Sequence, residues 1–234
     1  AYRDKGEYDR AIQDYDRAAQ LNPKSSQPVF NRATVYLLKK EYSRAREDYD
    51  LVLQLSSNDA AALYNRGNAY FGEGNYDRAI QDYDQAIKMN SRDPNMFYSR
   101  ALAHAAKGYN EGAIRDFGEA IRLNPKDSEA FYGRATAHAN NANYDAAILD
   151  FDQALRINPG YGQAFVGRGN AYYKKNDFSR SIQDMDAALK LNPVDPSALL
   201  TRGAAKQMIG DKDGGEADIA AAKAIQPNIV KLPQ

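Results

Sequence analysis

Arginine and aspartate recur along this chain at one fixed interval, and their charges are the first candidates for chemistry. Successive members of each set are 34 residues apart; the arginines are Arg32, Arg66, Arg100, Arg134, Arg168 and Arg202, and the aspartates are Asp14, Asp48, Asp82, Asp116, Asp150, Asp184 and Asp218. A row of guanidinium groups suits phosphate or carboxylate ligands. The alternative is a set of structural Arg–Asp ion pairs. Because a ligand-binding row would not need an aspartate in every interval, we favour the ion pairs, and we assign no catalytic residue.

The two histidines, His104 and His138, are also 34 residues apart. Two stacked imidazoles could coordinate a metal ion, but no carboxylate or thiol recurs beside them to complete a ligand shell. Tyr36, Tyr70 and Tyr172 occupy the same position elsewhere in the chain. We therefore expect both histidines to replace a packing tyrosine, and we assign no metal site.

Composition narrows the function classes further. The 234 residues include 31 Lys+Arg and 31 Asp+Glu, so the formal net charge is zero. This balance argues against nucleic-acid binding, which uses an excess of cations. The chain has no Cys and only two His, which excludes thiolate zinc sites and Cys nucleophiles and leaves little for a Ser-His-Asp arrangement. We therefore expect a non-catalytic protein without a cofactor.

Neither end of the sequence identifies a compartment. No stretch approaches the ~18 apolar residues of a membrane span, so no membrane insertion is expected. The first residues have neither the basic nor the apolar region of a signal peptide. The compartment stays open between the cytoplasm and, if a leader has been removed, the periplasm or the cell exterior.

An internal repeat positions all of these residues. Residues 8–18 are matched, without insertion or deletion, by residues 42–52, 76–86, 110–120, 144–154, 178–188 and 212–222. A small residue recurs in the middle of each copy, and a bulky residue follows four positions later; the bulky residues are Tyr15, Tyr49, Tyr83, Phe117, Phe151, Met185 and Ile219. Proline closes five of the seven copies, at Pro23, Pro125, Pro159, Pro193 and Pro227. Each copy is predicted to be an amphipathic helix that ends before this position.

Each unit also contains a second amphipathic segment, such as residues 62–71. Its small residue allows another helix to approach closely, and this residue is Ala33, Gly67, Ala101, Ala135, Gly169 or Gly203. Gly or Asn near the turn, as in Gly74-Asn75, ends this segment. The sequence therefore predicts an all-α protein in which a helix, a short turn, a second helix and a second short turn are repeated.

This pattern resembles the tetratricopeptide repeat (TPR) family over the whole chain. The resemblance implies a right-handed superhelical solenoid of antiparallel helix pairs, about six and a half repeats long, whose first helices line a concave groove. We expect one array over residues 1–227, made of a half repeat with its linker at 1–25, repeats at 26–59, 60–93, 94–127, 128–161 and 162–195, and a capping repeat at 196–227, followed by a tail at 228–234. The first half repeat would leave apolar surface uncovered, so we expect either an upstream helix or end-to-end self-association there.

The resemblance also indicates which side chains face the groove. They are aromatic, Asn, Thr and Lys residues, namely Phe30, Asn31, Thr34, Tyr64, Asn65, Asn68, Phe71, Tyr98, Tyr132, Thr136, Asn140, Asn170, Tyr173 and Lys174. Asn can pair with both polar groups of a peptide unit, and aromatic rings add rigid apolar area. We therefore expect an extended peptide segment to bind here, largely through its backbone and with micromolar affinity. The alternative for the Asn residues is an ordinary solvated helix surface.

Three functions fit these expectations. The first is a protein–protein interaction scaffold that binds an extended segment of another protein. The second is the substrate-selecting arm of a larger enzyme or complex, and the third is a self-associating structural repeat. The two-carboxylate clamp of some family members is not expected, because aromatic or aliphatic residues occupy the position of its Lys.

Overall fold

The protein consists of paired helices. The structure, a computed structural model, describes residues 6–229, and these residues form thirteen α-helices and no strand. The helices are α1 (Tyr8–Leu21), α2 (Ser26–Leu38), α3 (Tyr42–Leu55), α4 (Ala60–Gly72), α5 (Tyr76–Met89), α6 (Pro94–Ala106), α7 (Asn110–Leu123), α8 (Ser128–Asn140), α9 (Tyr144–Ile157), α10 (Gly162–Lys174), α11 (Phe178–Leu191), α12 (Pro196–Met208) and α13 (Lys212–Ile225). Even-numbered helices are the first members of the predicted pairs. The predicted all-α fold is confirmed.

Short polar side chains begin most of these helices. Asp59 accepts a hydrogen bond from the backbone N–H of Ala62 at 2.9 Å and caps α4. Asn75 accepts one from the backbone N–H of Arg78 and caps α5. Such caps satisfy amide groups that have no partner inside the helix, so they fix where each helix starts.

The turn inside a helix pair requires a residue with positive φ. Glycine supplies it at Gly74 (φ 77°) and Gly108 (φ 75°), where the absence of Cβ removes the steric penalty. In the turn 141–143, for which the sequence predicts Gly or Asn chemistry, the residue with positive φ is Ala142 (φ 56°). Alanine adopts this left-handed conformation only at a cost, so this turn is strained.

Two compact units make up the chain, Ala1–Leu123 and Asn124–Gln234. In the first unit, helices α1 to α7 pack in order, each against the next, and α2 and α6 both also touch α4. In the second unit, α8 to α13 pack in order in the same way, and α8 and α12 both also touch α10. Contacts between alternate helices place the even-numbered helices of each unit side by side.

Bulky side chains on the odd-numbered helices fill the core. Tyr49, Tyr83, Phe117, Phe151 and Met185 are fully buried, with 1% or less of their surface exposed. The small residues of both helices let the backbones approach, as close packing of helices requires. Helices α12 and α13 approach closely at Gly203, because a Cβ atom added there would lie 2.8 Å from the backbone oxygen of Gly215.

Most of the predictions for the chain ends concern residues that the structure does not describe. Ala11 is the one buried residue of α1. The upstream helix, the self-association and most of the predicted tail concern residues before 6 or after 229, and so lie outside the described residues. Across residues 6–229, no helix combines the length and the apolar character that a membrane span requires.

Candidate functional site

The six repeated arginines lie on even-numbered helices, and each donates hydrogen bonds to the aspartate sixteen residues later. Arg66 Nε and Nη2 on α4 lie 2.8 and 2.7 Å from the two carboxylate oxygens of Asp82 on α5. The same bidentate geometry, with distances of 2.5–2.8 Å, joins Arg32 to Asp48, Arg100 to Asp116, Arg134 to Asp150, Arg168 to Asp184 and Arg202 to Asp218. Two parallel N–H···O bonds fix orientation as well as charge, so the pair orients the two helices of a repeat.

A second aspartate binds most of these arginines, and the sequence analysis missed it. Arg66 Nη1 also donates to Asp50 Oδ1 on α3, at 2.8 Å. The equivalent contacts join Arg32 to Asp16, Arg100 to Asp84, Arg168 to Asp152 and Arg202 to Asp186. The signal was present in the sequence, because an aspartate recurs two positions after most members of the predicted set. Each such guanidinium therefore connects three helices and two repeats.

Two positions depart from this pattern. Sixteen residues before Arg134 the sequence has Gly118, which carries no side-chain oxygen. Asp14, predicted as a member of the structural pairs, is exposed and forms no ion pair within residues 6–229. The position sixteen residues before Asp14 lies outside the described residues, so the pair of Asp14 stays a prediction.

The two-carboxylate arrangement makes these arginines poor ligand-binding groups. Hydrogen bonds to Asp82 raise the pKa of Arg66 against the opposing effect of burial, and the charge of Asp50 adds to the rise. Hydrogen bonding to Asp48 raises the pKa of Arg32 in the same way. Because two carboxylates already neutralise the guanidinium, no net positive charge remains to attract a phosphate or carboxylate. The geometry supports the ion-pair interpretation over the ligand-binding row.

Both histidines lie against the carboxylates of this arrangement. His104 Nε2 is 3.6 Å from Asp116 Oδ2, and its ring packs edge-on against Tyr109 with the centroids 5.2 Å apart. His138 Nε2 is 4.0 Å from Asp150 Oδ2. Burial lowers the pKa of both imidazoles, although these aspartates oppose the shift. Within residues 6–229, no group of three His, Cys, Asp or Glu side chains is placed to hold a metal ion.

In the first unit, predicted aromatic residues of the groove pack against residues of the core. Phe30 packs edge-on against Tyr49, and Tyr98 packs in the same way against Phe117, with centroids 5.5 Å apart in both pairs. Tyr64 packs against Tyr83 at 5.8 Å. These rings are half-buried, so one side of each is committed to packing within the protein.

The polar groove residues of this unit have internal partners as well. Asn68 Oδ1 accepts a hydrogen bond from the buried Tyr83 hydroxyl at 2.8 Å. Thr34 Oγ1 donates to the backbone oxygen of Phe30, and Asn31 Oδ1 accepts from Gln27 Nε2. Asn65 is half-buried, and Phe71 packs against Tyr76. A cleft of about 120 Å³ opens at Asn68 and Phe71, and one of about 200 Å³ opens at Phe30.

In the second unit, predicted groove residues surround a larger cleft. Tyr132, Thr136 and Asn140 on α8 face Asn170 and Lys174 on α10 across a volume of about 310 Å³. Phe151 on α9, Val166 and Gly167 on α10, and Asp195 and Ser197 at the start of α12 also line it. Tyr173, also predicted, does not line this cleft and packs instead against Phe178. This volume is at the lower end of the range for ligand sites, about 300–1,000 Å³.

Two small residues on α10 explain the size of the cleft. Val166 occupies the position held by Tyr64, Tyr98 and Tyr132 in other repeats, and Gly167 the next position. A Cβ atom at Gly167 would lie 2.4 Å from Phe151 Cζ, so the glycine admits the phenyl ring against the α10 backbone. The shorter side chain of Val166 leaves a cleft between α8 and α10 where other repeats place a tyrosine ring.

Hydrogen bonds hold the walls of this cleft. Asn170 Oδ1 accepts from Thr201 Oγ1 at 3.0 Å, which leaves the amide NH₂ of Asn170 as a donor toward the cleft. Thr136 Oγ1 donates to the backbone oxygen of Tyr132 at 2.9 Å. The Tyr132 ring also packs against Tyr161, and burial raises the pKa of Tyr132. The cleft is therefore preformed, with an apolar floor and amide donors at its edge.

Comparison with known proteins gives consistent matches. The tetratricopeptide repeat profile matches residues 60–93, a second profile of that name matches residues 109–162 and 166–228, and a TPR repeat profile matches residues 1–40. No curated protein sequence matches the chain significantly.

Similar solved structures have the same fold. YrrB, a TPR protein with an unusual peptide-binding site, is 26% identical with a TM-score of 0.70, over 79% of this chain and 95% of YrrB. The C-terminal part of a TPR repeat-containing protein from Cytophaga hutchinsonii is 19% identical with a TM-score of 0.79, over 97% and 93% of the two chains. A chain of the anaphase-promoting complex hetero-tetramer Cut9–Hcn1 is 17% identical with a TM-score of 0.72, over 98% of this chain and 45% of that chain.

Proposed function

Because the chain belongs to the tetratricopeptide repeat family, whose fold serves protein–protein interaction, we propose that it is a non-catalytic scaffold that binds an extended peptide segment of another protein. The cleft between α8 and α10 is the observation that carries this proposal. Five of the groove residues predicted from the sequence line it, and YrrB, with a peptide-binding site of its own, has a similar structure.

The chemistry of the cleft suits a peptide backbone. Asn170 presents its NH₂ group and Asn140 an exposed amide, so each can pair with a peptide C=O or N–H. Each such hydrogen bond contributes about 1 kcal/mol net. An extended segment gains several of these bonds, while ordering the segment offsets part of the gain. Affinity in the micromolar range is the expected result.

Selection from a phage-displayed library of random peptides tests the proposal. Recovered peptides are synthesised with a fluorophore, and their binding to the protein is measured by fluorescence polarisation. Replacing Asn170 or Asn140 by Ala should weaken binding by about fivefold each, because one hydrogen bond is lost. The matched control is Gln183→Ala, since Gln183 is an exposed amide on α11 that does not line the cleft.

Two results would count against a peptide-binding cleft. One is a library that yields no peptide with saturable binding. The other is a set of peptides that bind wild type, Asn170→Ala and Asn140→Ala equally while all variants keep wild-type helix content by circular dichroism.

A further inference from the structure

We propose that the α8–α10 cleft selects peptides that carry a large apolar side chain close to an acidic residue, with the apolar side chain buried against Phe151 and Gly167 and the acid at Lys174. This inference rests on the proposed function, and it names the class of segment that the same site takes. It follows from three observations that concern the floor of the cleft, its one unpaired cation and the contrast with the first unit.

The floor of the cleft is made for an apolar group. Val166, Gly167 and Phe151 all line the cleft, and the Phe151 ring lies directly against Gly167. In the first unit, Tyr64 and Tyr98 fill the position of Val166, and the cleft at Asn68 and Phe71 has only about 120 Å³. The cleft of about 310 Å³ between α8 and α10 lies where preceding repeats place a tyrosine. A ligand ring or branched aliphatic chain would restore this packing.

The rim of the cleft carries a cation without a partner. Lys174 is exposed, and no acidic side chain of the described residues lies within ion-pair distance of it. The lysines that directly follow α2, α6 and α10 are paired, since Lys39, Lys107 and Lys175 each contact an aspartate of the preceding odd-numbered helix. The equivalents of Lys174 are all uncharged: Leu38, Gly72, Ala106, Asn140 and Met208. Its charge is therefore available to a ligand and is peculiar to this repeat.

The second charged group of the lining has a different role. Asp195 Oδ1 accepts hydrogen bonds from the backbone N–H groups of Ser197 and Ala198, at 2.9 and 3.0 Å, and caps α12. Its charge is offset by this helix N-terminus, at the other end of the cleft from Lys174. The resulting asymmetry favours an acidic residue beside the apolar anchor at the Lys174 end and disfavours a basic residue there.

The peptide library described above tests this inference when its recovered sequences are aligned. The expected result is enrichment of Leu, Ile, Met, Phe, Tyr or Trp together with Asp or Glu within a few residues. For one such peptide, replacing the apolar residue by Ala should weaken binding about tenfold or more. Replacing the acid by its amide should weaken binding about threefold, and this effect should shrink at high salt.

Variants of the protein locate both contacts. Val166→Tyr installs the residue found at positions 64, 98 and 132 and should weaken the anchored peptide about tenfold, whereas Leu149→Tyr, at an exposed site on α9, should not. Lys174→Gln should abolish the difference between the acidic peptide and its amide form, whereas Lys190→Gln should preserve it. The two substitutions act independently, so Lys174→Gln still tests the site if Val166→Tyr perturbs folding.

The outcomes separate this inference from the broader proposal. Peptides that bind at the cleft but show no apolar and acidic enrichment would overturn the specificity and leave peptide binding intact. The same holds if Val166→Tyr binds the anchored peptide as well as wild type does. A library that yields no binding peptides would overturn both.

Discussion

Removal of the Asp82 carboxylate should destabilise the protein several times more than removal of the Asp50 carboxylate, although both bind Arg66. The Asp82 side chain is 5% exposed and accepts two hydrogen bonds from the guanidinium, whereas the Asp50 side chain is 35% exposed and accepts one. Breaking a buried pair costs about 3–5 kcal/mol, because the remaining charge is stranded. Arg66 is 21% exposed and keeps Asp50, so Asp82→Ala should cost about 3 kcal/mol. Asp50→Ala breaks a more exposed pair and should cost about 1 kcal/mol or less.

Urea denaturation followed by far-UV circular dichroism measures these differences. Asp77→Ala serves as the surface control, because Asp77 is 73% exposed and its one ion pair among residues 6–229 is with Lys107. This substitution should change the free energy of unfolding by less than about 1 kcal/mol. Replacing both partners, as in Arg66→Leu/Asp82→Leu, removes the stranded charge and should recover most of the loss.

Two results would refute this reasoning. Equal destabilisation by Asp50→Ala and Asp82→Ala would mean that burial does not decide the strength of the two contacts. A double variant no more stable than Asp82→Ala would mean that lost packing, rather than a stranded charge, causes the effect.

Three further predictions concern pH, a turn and a helix contact. Burial lowers the pKa of His104 and His138 in the folded state, so the unfolded chain takes up protons first and the free energy of unfolding should fall as the pH drops below about 6.5. A variant with both histidines replaced by Tyr should lose this part of the acid sensitivity in urea titrations at pH 7.5 and 5.5. An unchanged pH profile would contradict the role of the histidines. Ala142→Gly relieves the strain of the left-handed conformation at φ 56°. It should raise the free energy of unfolding by about 0.5–1 kcal/mol, since the larger conformational entropy of glycine in the unfolded chain offsets part of the gain. A loss of stability would show that the turn is unstrained. Gly203→Ala places a Cβ 2.8 Å from a backbone oxygen and should lower the free energy of unfolding by about 1–3 kcal/mol. The control is Gly162→Ala, whose Cβ would meet only Leu191 at 3.8 Å and which should leave stability unchanged in the same urea assay.

The repeat made the fold predictable, because each element was seen several times. The small residue at Ala45 and the bulky residue at Tyr49 recur with the same spacing in the other units, and both are fully buried. A pattern arising by chance would not recur every 34 residues along the whole chain. Once the two helices of one unit were identified, the helices of the other units could therefore be placed by the same spacing. Departures from the repeat were harder to judge, as at Ala142, because a steric preference for glycine can be overridden by the packing on both sides of a turn.

The candidate site was predictable in position but less so in chemistry. The sequence identified Asn68 and Asn170 as groove residues, but their hydrogen bonds to Tyr83 and Thr201 depend on side-chain orientations that spacing does not determine. The cleft itself depends on Val166 and Gly167, which were not among the predicted groove residues. A binding site in a repeat protein is formed where one unit differs from the others, and such a difference carries no periodic signal.

The guanidinium shared between repeats also determines how such a chain can change its length. Each of the fully bound arginines finds its partners sixteen residues away on either side, so excision of residues 60–93 would bring Asp50 to the same spacing from Arg100 that it now has from Arg66. The remaining guanidinium and carboxylate groups of the repeated Arg–Asp set would keep their partners, provided that the excised length is one whole period. An excision of any other length would leave charges unmatched at the new junction. Loss of this whole unit therefore preserves the repeated Arg–Asp contacts, whereas an ion pair outside that set, such as Lys107–Asp77, is lost with it.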